Sequence, residues 1–427
     1  MTLKKMTGFR ASKKRSLAIE YPIKRANGRK AGIIAVGSTL HFALTKRRLP
    51  GSREADTLLH AMNRRRFLKT AGTLTLATAV SSPLSISAAA AAKPVTAAHL
   101  PRWRGFNLLA KFWKQDGGNP PFEELDFQLM SEWGFNFARL PMSYLCWSDP
   151  ADWLKLREDQ LKDIDGAVEL GRKHGVHINM CFHRAPGYCV GGPKEPLDLW
   201  KDEQALEACA FHWAHFARRY QGIPNERVSF NLLNEPTNIT EETYIRVVKR
   251  LVQAIRAEDP HRLIIADGLQ CGRIPVNGLV DLGIAQSTHW YDPIELTFYQ
   301  APWNEESGVK DADKWPVPTW PLQRDGKVLS DKATLRKNLF EPWQQLAQKG
   351  VGIHVGEFGV YNKTPHAVTL AWMRTCLELY KEASWGWAIW SPRGEEGVLD
   401  SRRADVKYED FHGHKLDRKM LNLLRSY

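Results

Sequence analysis

From residue 103 onward the sequence alternates strand-like and helix-like runs, eight of each, and this pattern restricts the fold more than any other feature. The strand-like runs are "WRGFNLL" (103–109), "FNFARLPM" (135–142), "VHINMCFH" (176–183), "RVSFNLLNE" (227–235), "RLIIADG" (262–268), "IAQSTHWY" (284–291), "VGIHVGEF" (351–358) and "WGWAIWS" (385–391). They are apolar on both faces, as strands of a covered parallel sheet are. The runs between them read as helices; in 157–175, Leu161, Ile164, Ala167, Val168 and Leu170 share one face. Even "PVNGLVDLG", after the fifth strand, counts as a short helical unit. Eight such units in roughly 335 residues predict an α/β chain folded as a single (β/α)8 TIM barrel over residues 93–427. An open doubly wound sheet is the alternative. It needs fewer strands and a glycine-rich first turn, and "GVGIHVG" (350–356) leaves a helix for a strand, the wrong order for binding phosphate.

The formal net charge is +13, which by itself suggests nucleic acid or an anionic membrane as partner. The charge is local: residues 1–92 carry about +15 and residues 93–427 about −2. The body therefore has no basic face for nucleic acid. "NRRRFLKTAG" (63–72) resembles the twin-arginine export motif, with Asn63 where Ser or Thr is commoner. A mildly apolar run and the small residues Ala90 to Ala92 follow, so 62–92 is expected to be a cleaved signal peptide. Translation is expected to begin at Met62, leaving 1–61 as a basic extension upstream of the true start. "AGIIAVGSTLHFAL" (31–44) is too short to span a bilayer, so no stable membrane anchor is expected. The mature protein would be periplasmic or extracellular, with the twin-arginine machinery as a transient partner. None of the six cysteines forms a C-x-x-C pair; Cys181 and Cys189 are close enough to bridge. Free thiols are the expectation, because such cargo folds in the reducing cytoplasm.

A barrel of this type carries its chemistry at the C-terminal ends of its strands. The polar residues there are Arg139, His183, Asn234 with Glu235, His289 with Tyr291, Glu357 and Trp390. Two carboxylates thus face each other across the mouth. Each residue alone has an ordinary structural explanation: Asn-Glu-Pro as a strand exit, Arg139 as a buried ion pair, the histidines and Trp390 as core. Trp385 and Trp387 read as barrel filling.

Taken together, "NFARLP", "FHRAPGY", "NLLNEPTN", "STHWYDP", "HVGEFGV" and "WAIW" resemble glycoside hydrolase family 5, the cellulase-type retaining β-glycosidases. The motifs occur in the family's order and span essentially all of 103–427. The resemblance implies Glu235 as acid/base and Glu357 as nucleophile, with no cofactor and no metal. A retaining glycosidase needs two such carboxyl groups. Arg139 and Tyr291 would keep Glu357 ionised, Asn234 would meet the sugar 2-hydroxyl, and Trp390 would face its C–H surface. His183 and His289 would bind hydroxyls or tune Glu235.

The substrate is expected to be an oligo- or polysaccharide. The connection 292–332 carries Trp303, Trp315 and Trp320, and earlier loops carry Trp113 and Trp147; these are expected to serve outer sugar subsites. A second long loop, 391–414, closes the other side. An aromatic cleft suits a chain with equatorial hydroxyls, so β-1,4-glucan is the first expectation and an endoglucanase the first reading. Mannan, xyloglucan, β-1,3-glucan or a simple β-glucoside are the alternatives, as is a transglycosylase on the same carboxylates. A non-catalytic carbohydrate-binding barrel is the alternative from another class; such proteins usually lose a carboxylate, and this chain has both.

Overall fold

The structure is a computed structural model that describes residues 94–113, 119–149 and 151–427. The twin-arginine motif, the segment 62–92 and the extension 1–61 lie outside the described residues.

Each strand-like run forms a strand: β1 (Arg104–Asn107), β2 (Phe137–Ser143), β3 (His177–Ala185), β4 (Val228–Asn231), β5 (Ile264–Asp267), β6 (Ala285–Trp290), β7 (Ile353–Phe358) and β8 (Gly386–Ile389). Neighbours pair in parallel in the order β2-β1-β8-β7-β6-β5-β4-β3, and β3 pairs with β2, so the sheet closes. This is the (β/α)8 barrel expected from the alternation. Its strands are buried almost throughout, because helices cover the outside and side chains fill the inside.

The covering helices are α1 (Glu124–Glu132), α2 (Glu158–His174), α3 (Glu203–Arg219), α4 (Glu241–Glu258), α5 (Glu341–Ala347), α6 (His366–Glu382) and α7 (Arg418–Arg425). In α2, Leu161, Ile164 and Ala167 are buried as their spacing predicted. The helix carries Arg172, Lys173 and His174 in its last turn and stops at Gly175, which takes the left-handed conformation (φ 69°). The unit between β5 and β6 departs from expectation: it forms a 3-10 helix, Asn277–Leu282. The segment is too short to repay α-helix nucleation. A Cβ at Gly278 would also lie 2.2 Å from Ile245 on α4, so the turn packs tightly against that helix. The run 331–350 starts as an α turn, Lys332–Leu335, passes through a π turn, Arg336–Phe340, and then becomes α5. Pro342, which has no N–H to donate, sits in the first turn of α5 and accounts for the break in the ladder.

The N-terminal end of the barrel is filled. Val95 and Trp103 pack with Phe137, Leu263 and Ala388. Trp103 stacks on His177 with ring centroids 3.7 Å apart, and Phe137 lies 4.3 Å from His354. Burial pushes both histidines down to about 3, so they are neutral filling. Trp385 and Trp387 are buried, as expected of barrel filling. No disulfide joins the six cysteines. Among the described residues no helix is long and apolar enough to cross a membrane.

Candidate active site

Arg139 lies inside β2 rather than at its end, and it is fully buried. Its guanidinium donates to Glu357 Oε1 (2.6 Å), Asn107 Oδ1 (3.0 Å), Asn231 Oδ1 (2.9 Å), Asn234 Oδ1 (2.8 Å) and Cys181 Sγ (3.1 Å). Every donor direction is therefore occupied, and the planar fork holds groups from β1, β3, β4 and β7 in one layer. Burial alone would lower its pKa, but Cys181, Glu357 and Asp267 raise it, so the charge is permanent.

Glu357 is the fifth residue of β7 and is buried. The strand's register shifts between Val355 and Glu357, and Gly356 occupies the irregularity. A Cβ there would meet Ser287 Oγ at 2.5 Å, so only glycine fits. Burial raises the Glu357 carboxyl, while His289 and Arg139 pull it back. Tyr291 donates its hydroxyl to the second oxygen at 3.1 Å. The net effect leaves its pKa above the ordinary carboxylate value, and a guanidinium on one oxygen and a phenol on the other are the contacts that favour the ionised form.

Glu235 follows β4 and is partly exposed, with a left-handed backbone (φ 52°). That conformation costs a non-glycine residue roughly 1–3 kcal/mol and needs support. The Glu235 N–H donates to Asp267 Oδ2 (3.1 Å), and its carbonyl accepts from the Tyr188 hydroxyl (2.6 Å).

His289, fully buried on β6, joins the carboxylates. Its Nδ1 lies 3.0 Å from Glu235 Oε1 and 3.7 Å from Glu357, and its Nε2 lies 3.2 Å from Asp267 Oδ2. Burial would lower its pKa, but Glu357 and Asp267 outweigh that and raise it to about 10. These neighbours favour the imidazolium, and the ring is placed to tune Glu235 rather than to reach a sugar. Donor atoms of Glu235, His289 and Glu357 lie within 4.8 Å of one another, a spacing a metal ion could use. Arg139 already pairs with Glu357, however, and Asp267 faces the other ring nitrogen of His289, so these groups are paired with one another.

Around this centre, Asn234 Nδ2 and His183 Nδ1 are buried with no hydrogen-bond partner among the described residues. The Arg139 bond to Asn234 Oδ1 fixes which end of the amide is the donor. Trp390 follows β8, and Phe112 packs against both Trp390 (5.3 Å) and His183 (4.4 Å). All eight polar or aromatic residues expected at the mouth therefore converge.

The outer tryptophans divide. Trp113 is 45% exposed, next to Phe112, with the Arg184 guanidinium 5.3 Å from its ring. Trp303 is half-buried and linked to the site through Phe298, whose ring lies 5.6 Å from Trp303 and 5.1 Å from Tyr291. Trp315 is half-buried in the same loop and makes no ring contact among the described residues. Trp147 does not serve a subsite: it is fully buried, packs on Phe182 and Phe216, and donates to His212 Nδ1 at 2.9 Å. Nor does Trp320, whose Nε1 donates to Thr375 on α6, outside the barrel. Both were expected at subsites because loop tryptophans look alike in sequence; packing turned Trp147 into the core and Trp320 onto α6.

The chain matches the family model described as "Cellulase (glycosyl hydrolase family 5)" over residues 89–395. It belongs to glycosyl hydrolase family 5. A solved glycoside hydrolase is 36% identical, with TM-score 0.70, covering 76% of this chain and 99% of its own. Endoglucanase C of Acetivibrio thermocellus is 25% identical over 287 residues, 63% of this chain and 83% of that protein. Endoglucanase Cel5A of Thermotoga maritima, 22% identical with TM-score 0.58, covers 75% of this chain and 96% of its own and shares the fold. As a family 5 member the chain is an O-glycosyl hydrolase of the retaining β-glycosidase type.

The family 5 centre also contains residues that the sequence reading passed over. Asp267 ends β5 and is fully buried between Asn231, His289 and the Glu235 N–H. It satisfied the strand-end criterion applied to Glu235, so "IIAD" carried the signal. Asn107 and Asn231 were visible as polar residues in apolar strands. Glu396, buried in the 391–414 loop, has its pKa raised by burial and by Glu357 to about 8, and no sequence pattern marks it.

Proposed function

We propose that the chain is an endo-β-1,4-glucanase working by double displacement, with Glu357 as nucleophile and Glu235 as acid and then base. The observation that carries the double displacement is that a Glu235 carboxylate oxygen and a Glu357 carboxylate oxygen lie within 4.8 Å of each other. Retaining enzymes hold their carboxyl groups about 5–5.5 Å apart and inverting enzymes about 6.5–9.5 Å, leaving room for a water.

In the first step a Glu357 oxygen bonds to the anomeric carbon, the glycosidic bond breaks, and the Glu235 proton passes to the leaving oxygen. In the second, water attacks the same carbon, its proton goes to Glu235, and the Glu357 ester bond breaks. Asn234 Nδ2, whose orientation Arg139 fixes, is the donor for the 2-hydroxyl. Trp390 presents a flat face to the sugar, and Trp113 and Trp303 extend it outward. The β-1,4-glucan assignment rests on this aromatic lining and on the endoglucanases among the relatives. Export through the twin-arginine signal belongs to the same reading and suits a polymeric substrate.

The test is a reducing-end assay on carboxymethyl-cellulose, barley β-glucan, mannan, xyloglucan and laminarin, with Glu357→Ala as the blank. Release from the β-1,4-linked glucans is expected, abolished in the blank. Release from mannan or laminarin alone would overturn the substrate assignment. Azide should restore turnover of an activated aryl glycoside by Glu357→Ala with inverted configuration, and by Glu235→Ala with retained configuration. The opposite pattern would exchange the two roles.

A further inference from the structure

We infer that Asp267 is a positioning residue for the acid/base: it secures the backbone that carries Glu235 and supplies the second anion that balances the two cations around it. The inference rests on the assignment of Glu235 as acid/base.

Two contacts support the backbone role. Glu235 holds a left-handed φ of 52°, and its N–H is tied to Asp267 Oδ2 at 3.1 Å. Asp267 is itself held in place: it is fully buried, with Oδ1 accepting from Asn231 Nδ2 at 2.8 Å. Asn231 in turn accepts from Arg139, so the carboxylate is locked to the same framework that holds Glu357.

The electrostatic role follows from a count of charges. Arg139 and His289 are cations, and Glu357 and Asp267 are anions. Asp267 lies 3.2 Å from His289 Nε2 and 3.5 Å from Arg139, and these partners hold its own carboxyl well below the usual range despite burial. The four cancel, so no net charge works against the protonated form that the acid role requires of Glu235. Once Glu357 is esterified its charge is gone and the remainder is one positive. That surplus favours the Glu235 carboxylate, the form needed to take a proton from water. Without Asp267 the surplus would exist before the reaction begins, and Glu235 would give up its proton too early.

The other titratable groups facing this cluster do not alter the count. Burial pushes His183 down and Cys181, Tyr188 and Tyr291 up, so these four are neutral. Glu396, on the 391–414 loop, is raised by burial and by Glu357 to about 8, so it adds no charge to the count at pH 7, and the alkaline limb is read against that of Glu396→Gln. Burial raises Cys271, in the turn after β5, to about 12. Arg273 in the same turn is paired with Asp292 at 2.6 Å.

Asp267→Asn in the full chain tests this, because the amide keeps the size and an acceptor but removes the charge. Two substrates are compared by kcat/KM, which reports the first chemical step. One is a cello-oligosaccharide, whose leaving group needs a proton; the other is a dinitrophenyl cellobioside, whose leaving group does not. The expected result is a loss of at least about tenfold on the first and less than about threefold on the second, with the alkaline limb of the first profile moved about one unit to lower pH. Equal losses on both substrates, or an unmoved alkaline limb, would reduce Asp267 to a structural residue and overturn the inference. If the variant does not fold, nitrogen NMR of the native protein decides: an imidazolium at His289 at pH 7 supports the charge count, and a neutral imidazole overturns it. Glu357→Ala is assayed alongside. Turnover by Glu357→Ala would remove the parent assignment and this inference together. Its expected inactivity, with an unchanged Asp267→Asn profile, would remove this inference alone.

Discussion

Arg139 shows how much one side chain can organise. It is an arginine in an apolar strand, and it reaches partners 32 to 218 residues away in sequence. Its planar donors give geometry as well as charge, and a lysine could satisfy few of these directions. Removing it would leave the buried Glu357 carboxylate without its guanidinium partner and Glu357 Oε1 without its 2.6 Å ion pair. Arg139→Ala is therefore expected to lower stability by about 3–5 kcal/mol in urea titrations and to abolish turnover. At this scale the signal in the sequence was a polar residue interrupting an apolar strand, which also marked Asn107, Asn231 and Asp267. It named Arg139, Asn234, Glu235 and Glu357. It could not say that the Asn234 amide would be turned by Arg139, or that Asp267 would face His289, because those contacts depend on how neighbouring strands register.

At the scale of elements, strands and helices were legible because their periods are local properties of the chain. The exceptions have local causes too: the 3-10 turn Asn277–Leu282 at a crowded glycine and the π turn ahead of Pro342. Loops were not legible in this way. Trp147 and Trp303 are both loop tryptophans, yet one is sealed against α3 and the other lies next to Phe298 and Tyr361 near the mouth. Trp147→Ala is expected to cost about 3–5 kcal/mol of stability while leaving KM for long oligosaccharides unchanged in the folded fraction. Trp303→Ala is expected to leave the melting temperature nearly unchanged and to lower kcat/KM for long chains by about tenfold, roughly the worth of one aromatic contact. Chain-length series on the two variants check both outcomes.

Across the whole molecule the barrel has two electrostatic ends. The N-terminal end holds neutral His177 and His354, and the C-terminal end holds the imidazolium of His289 and the raised carboxyl of Glu396. The histidines depressed to about 3 contribute stability above their unfolded value near 6.5, and it is lost as pH falls toward 3. His289, raised to about 10, contributes stability below about 6.5, and it is lost as pH rises through 10. Glu396, raised to about 8, has the same sign: its contribution is full below the ordinary carboxylate value and is lost as pH rises through 8. Glu396→Gln should therefore remove a decline in unfolding free energy of up to about 1.4 kcal/mol per pH unit between pH 5 and 8. Chemical denaturation across that range reads the slope directly, whatever the substitution does to the baseline.

The sequence by itself determined the barrel and the ring of residues around its mouth. Strand and helix periods are written in neighbouring residues, and a closed parallel sheet puts every strand's end on one rim. The tertiary structure alone decided which loop tryptophans face outward and which are buried, and that Glu396 joins the centre. Those outcomes depend on contacts such as Trp147 with His212, 65 residues apart, and Arg139 with Glu357, 218 residues apart. Local periodicity carries no record of such distant contacts.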